Sequence, residues 1–136
     1  MKTETIKIFS RIILGIIMLG AGILHLTILR AEFQDLVPIS ITTDPQMKDF
    51  LVIASGVAEI LLGIATIFWT KQMKKVGITL ALFLVLVYWG NIAQYMNQID
   101  AFNLDSNAKR FIRLLFQPPL ILWALWCTNA LSYFKK

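Results

Sequence analysis

The chain has one cysteine, one histidine and four prolines in 136 residues, and only 15% of those residues are charged. Each scarcity excludes something. Cys127 alone forms neither an internal disulfide nor a CxxC redox pair, and it says little about compartment. His25 alone rules out bis-histidine haem ligation within one chain. A metal site of one histidine, one glutamate and amides would depart from the usual ligand sets, so none is expected. The low charge compares with about a quarter in soluble domains. With 57% hydrophobic residues and a mean hydropathy of +0.69, it excludes an ordinary water-soluble domain, whose interior at this length could not hide so much apolar side chain. No segment alternates polar and apolar residues, which argues against a transmembrane β-barrel. The net charge is +5, but Lys and Arg sit mainly at the ends of apolar runs and not in a stripe with aromatics. Nucleic acid is therefore not an expected partner.

What is present is apolar length. Crossing a hydrocarbon core takes about 20 residues, and four runs reach it: 8–29, 50–69, 76–96 and 111–134, the last beginning between Phe111 and Pro118. Backbone groups must be paired inside the segment in lipid, so these runs predict helices. The expected fold is an all-α membrane protein: a single four-transmembrane-helix bundle with a longer outer segment at 30–49. Pro38 and Pro45 break that segment, which predicts an ordered lid or short interfacial helix there. Lys2, Lys7 and Arg11 resemble the charged start of a signal peptide, but the following apolar part is too long and no small-x-small cleavage site follows. The first run therefore reads as a retained helix.

Charge asymmetry predicts orientation. Lys2, Lys7 and Arg11, then Lys71, Lys74 and Lys75, then Lys135 and Lys136 lie on one side, opposed among the acids only by Glu4. Glu32, Asp35, Asp44, Asp49, Asp100 and Asp105 lie on the other. The positive-inside rule then makes both termini and the 70–75 loop cytoplasmic, in the cytoplasmic (inner) membrane.

Polar side chains at membrane depth each need a reason, since a central charge costs about 2.5–3.5 kcal/mol on insertion scales. They are His25, Glu59, Asn91, Gln94, Arg113 and Gln117. Helical spacing puts Gly15, Met18, Gly22 and His25 on one face, and Gly56, Glu59, Gly63 and Thr66 on another. Tyr88, Asn91 and Tyr95 line up beside Gln94, while Arg110, Arg113 and Gln117 share a face running to Ala124 and Thr128. All six candidates fall in the outer half, which predicts a polar cluster centred on a Glu59–Arg113 ion pair. Arg110 reads as an interfacial anchor, and Trp69, Trp89, Trp123 and Trp126 as mostly lipid-facing or belt residues. If the last helix begins near Phe111, Pro118 and Pro119 free the carbonyls of Leu114 and Leu115 and kink it. If it begins at Pro118, Arg113 lies in an outer turn.

GAGILHL (20–26), Phe33 and Pro38, SGVAEILLG (55–63), GNIAQY (90–95) and RLLFQPPL (113–120) together resemble the DoxX-like integral membrane proteins. The likeness spans nearly the whole chain and rests on the order His, GxxE, Asn, Arg-x-x-x-Gln; Pro119 departs from it. It implies a four-helix inner-membrane protein, and some members are linked to thiosulfate:quinone oxidoreductase subunits or to membrane-anchored oxidative-stress complexes.

Three functions are compatible with these residues. The first is a membrane subunit or accessory of a quinone-linked redox system. There His25, Asn91 or Arg113 would hold a quinone carbonyl, Glu59 would relay protons, and a redox partner protein would supply electrons. The second is a non-enzymatic binding or assembly protein for a small lipid-like ligand or a partner's helices. The third is a small transporter, which would need a homo-oligomer. Whether the chain is itself an enzyme stays open at this point; the lipid bilayer is its expected surrounding in every case.

Overall fold

A computed structural model describes residues 2–35, 37–98 and 106–134. Asp100, Asp105, Lys135 and Lys136, used above for orientation, lie outside the described residues. Within them the chain is helical with no strand: α1 (Lys2–Leu26), α2 (Arg30–Asp35), α3 (Pro45–Phe68), α4 (Met73–Asn97) and α5 (Asn107–Cys127), with 3₁₀ turns at Thr70–Gln72 and Ala130–Tyr133. All four long helices begin before the apolar runs do, because their first turns are polar, and side-chain caps start α3 and α5. Asp44 accepts from Gln46 N at 3.1 Å ahead of Pro45, and Ser106 accepts from Lys109 N at 3.2 Å. Both arrangements satisfy amides that have no partner within the helix. The outer segment does hold a short helix, α2.

Three helical stretches, Lys2–Leu26, Pro45–Phe68 and Thr70–Asn97, are long and apolar enough to cross a membrane. They mark the chain as a membrane protein. The radial pattern agrees, being inverted relative to water-soluble folds. Ile16, Ile17, Leu61, Leu82, Leu86, Phe111 and Phe116 are exposed, while His25, Glu59, Asn91, Gln94, Arg110 and Gln117 are buried. Helix α5 begins with Asn107, Lys109, Arg110 and Arg113, and runs unbroken through Pro118 and Pro119. Of the two starts considered for this helix, the earlier one is therefore found.

The helices associate as two intimate pairs, α1 with α3 and α4 with α5. Lighter contacts of α3 with α4 and of α1 with α5 close the ring, leaving α3 and α5 on a diagonal. The α1–α3 pair is antiparallel and built on glycine. A Cβ at Gly22 would stand 2.7 Å from the Gly56 carbonyl oxygen, and one at Gly63 would stand 2.8 Å from that of Gly15. These separations leave room for hydrogen only, so the two backbones touch, as small residues permit in membrane helices. Leu14 and Met18, Leu80 and Leu84, and Ala124 and Cys127 form the core between the pairs, with Trp123 and Trp126 partly buried against it. Trp69 and Trp89 are half exposed, as expected of belt residues, but Trp123 and Trp126 are core neighbours instead.

Lys7 Nζ donates to Asn129 Oδ1 at 2.6 Å, and Lys74 Nζ lies 5.9 Å from the centre of the Tyr133 ring. The first turns of α1, the 70–75 connection and the end of the last helix therefore meet at one basic pole.

Candidate ligand-binding site

The opposite half holds a cavity of about 480 Å3, lined mainly by apolar residues of α3 and α4 and capped by Phe33, Pro38 and Ile41. That size is ordinary for a small-molecule site. Leu86 and Trp89 line it and are well exposed, so it opens on the side of the bundle. His25, Asn91 and Arg113 supply its polar end, together with Ser55.

The six candidates resolve into three pairs, each with one member on the cavity and one behind it. His25 Nδ1 contacts Glu59 Oε2, with both side chains buried. Arg113 Nη1 donates to Gln94 Oε1 at 2.6 Å. Asn91 Nδ2 donates to Gln117 Oε1 over a long 3.5 Å, and Gln117 Nε2 donates to the Leu84 carbonyl at 2.8 Å. The expected Glu59–Arg113 ion pair does not form. Both residues lie at the right depth, but α3 and α5 are diagonal, so each charged group finds its partner inside its own helix pair. Side-chain direction explains the pairing. A Cα–Cβ bond leans toward its helix N-terminus, so in antiparallel α1 and α3 His25 leans inward as Glu59 leans outward, and they meet. Arg113 and Gln94 meet in the same way between α5 and α4. Arg110, expected at the interface, is buried instead, and its Nη2 donates to Asn107 Oδ1 at 3.0 Å.

His25 Nδ1 also lies 3.1 Å from the Ala21 carbonyl. Two oxygens around one nitrogen place the proton on Nδ1, which leaves Nε2 as the ring atom for a ligand. Among the described residues Glu59 Oε2 has no hydrogen-bonding neighbour besides His25. The Phe33 ring stacks on the imidazole, with centroids 3.3 Å apart and an interplanar angle of 22°. Helical periodicity gave no sign of this contact, since Phe33 belongs to another element; only its place in the family-like pattern singled it out.

A latch holds Phe33 there. Arg30 grips Asp49 with two hydrogen bonds, Nε to Oδ1 at 2.7 Å and Nη2 to Oδ2 at 2.5 Å, and Gln34 Nε2 adds a third at 2.7 Å. The hydrogen bond to Asp49 raises the Arg30 pKa above its ordinary value. Arg30→Ala should therefore speed amide hydrogen exchange across Arg30–Asp35 by a few-fold, the modest effect usual for an ion pair near the surface. Unchanged exchange would show that the latch holds nothing.

The fold and cavity thus define a helical membrane protein with a side-opening, polar-ended pocket. Residues 14–128 match a family described as a domain of unknown function, DUF8561, and the chain belongs to it. No curated protein matches the chain, and no solved structure does.

Proposed function

We propose that the chain is a four-span protein of the cytoplasmic membrane whose cavity holds a lipid-like ligand with a compact oxygen-bearing head. In this reading it serves as a membrane subunit or accessory of a quinone-linked redox system. The observation that carries it is the cavity itself, apolar over its length and ending on His25, Asn91 and Arg113. Helix α5, with 21 residues, is about 31 Å long at ~1.5 Å per residue, which supports a fourth crossing. The basic pole at Lys7 and 70–75 supports cytoplasmic termini. Arg113 suits a head-group oxygen as a donor, and the His25–Glu59 pair offers a place for a proton next to it. Electrons would come from a partner protein, because a lone buried Cys127 cannot cycle between thiol and disulfide. The DoxX-like pattern favours the same reading and stands on its motifs alone.

A second reading, a non-enzymatic carrier or assembly protein for a lipid-like molecule, draws on the side opening at Leu86 and Trp89, through which a ligand enters from the bilayer without any chemistry.

Ala58 lines the cavity, and a phenylalanine in its place would fill it. Native mass spectrometry of the purified protein should show a retained apolar ligand, and Ala58→Phe should lose at least about nine-tenths of it with unchanged helical content. Equal retention by both proteins would overturn the ligand-site reading. A retained quinone would favour the redox role, and a retained lipid the carrier role.

A further inference from the structure

The polar end of the cavity offers a ligand donors in one place and an acceptor in another. Arg113 carries only donors. Asn91 presents an acceptor, and a relay of amides fixes it so. Gln117 commits Nε2 to the Leu84 carbonyl, which turns Oε1 toward Asn91 Nδ2. Turning either amide over would set oxygen against oxygen. Asn91 is only 5% exposed, it lines the cavity, and its Oδ1 has no hydrogen-bond partner among the described residues. Two neighbouring donors are committed elsewhere. The Ser55 hydroxyl donates to the Val52 carbonyl at 2.9 Å, and the His25 Nδ1 proton serves Glu59 and Ala21. A buried acceptor with no donor is costly, and a ligand that brings the donor removes that cost.

From this we infer that the ligand carries a hydroxyl on an apolar tail or ring and donates it to Asn91 Oδ1. The class is an apolar alcohol or phenol; of a quinone couple it is the hydroquinone, which has the donor, and not the quinone, which has none. The inference rests on the reading of the cavity as a ligand site and narrows it. The oxygen of the same hydroxyl keeps its lone pairs for Arg113. Gln117 acts as a positioning residue, since it holds Asn91 in the accepting orientation.

The test compares 4-nonylphenol with its methyl ether, which shares ring and tail and lacks only the donor. Equilibrium binding of each to the full chain in detergent is measured by native mass spectrometry. The phenol should bind about tenfold tighter, because a site built to take a hydroxyl proton rejects the analogue without one. Asn91→Leu should bind the two equally, and Gln117→Met should narrow the gap by freeing Asn91 to turn. Equal binding of both probes to the unmodified protein would overturn the inference while leaving the ligand site intact. That comparison needs no variant, so it decides even if Asn91→Leu fails to fold. Binding of neither probe would overturn the ligand site as well.

Discussion

Gly22→Val should separate α1 from α3 and lower the melting temperature of the detergent-solubilised protein by roughly 10 °C or more. A Cβ at Gly22 stands 2.7 Å from the Gly56 carbonyl oxygen and 3.0 Å from the Ile60 backbone nitrogen. Neither is the end of a flexible side chain, so relief requires the whole helix to move. Overpacking of this kind costs typically 1–3 kcal/mol and sometimes more, and the two methyl groups of valine place this case at or above the upper end. Gly20, two residues away, is the control. Nothing lies within 4 Å of a Cβ there, so Gly20→Ala should leave stability unchanged or raise it by about 0.5–1 kcal/mol through reduced backbone freedom. Similar melting of the two variants would mean that the glycine contact does not hold the pair together.

His25→Leu should cost about 3–5 kcal/mol, because it leaves the buried Glu59 Oε2 without its one hydrogen-bonding neighbour among the described residues. Glu59→Gln should be much milder, since the amide oxygen can accept from Nδ1 and the Ala21 carbonyl remains in place. The double variant His25→Leu, Glu59→Leu should recover much of the loss, as apolar replacements of a buried pair commonly do. A thermal-melting double-mutant cycle checks all three. Additive losses would show that the two residues are not coupled and would remove the His25–Glu59 unit from the description of the site.

Much of this was legible in the residues, and what was not has a definite cause. The buried faces Gly15–Met18–Gly22–His25 and Gly56–Glu59–Gly63–Thr66 follow directly from helical spacing, because each depends on one helix alone. The six polar candidates were visible for a related reason: such side chains are expensive at membrane depth wherever they point. Their partners were not. Depth along the bundle can be counted in residues, whereas the order of helices around the ring depends on packing between elements. Glu59 and Arg113 agreed in depth and failed on that order. Phe33 over His25 is beyond periodicity for the same reason. The helix starts were set too late because hydropathy registers lipid and not caps: Asp44 and Ser106 begin their helices in polar sequence.

The pairing of helices also has a meaning in time. Helices α1 and α3 leave the ribosome before α4 and α5, and they hold both the glycine contacts and the His25–Glu59 contact. The first half of the chain therefore contains a complete hairpin, able to close before α4 is synthesised. Glu59 enters the apolar phase beside a partner already there, and avoids the ~2.5–3.5 kcal/mol that a lone charge at mid-membrane would incur. Lys7 meets Asn129 only once α5 is complete. Helix α1, made before α3, α4 and α5, waits for the end of α5 before its first turns are tied.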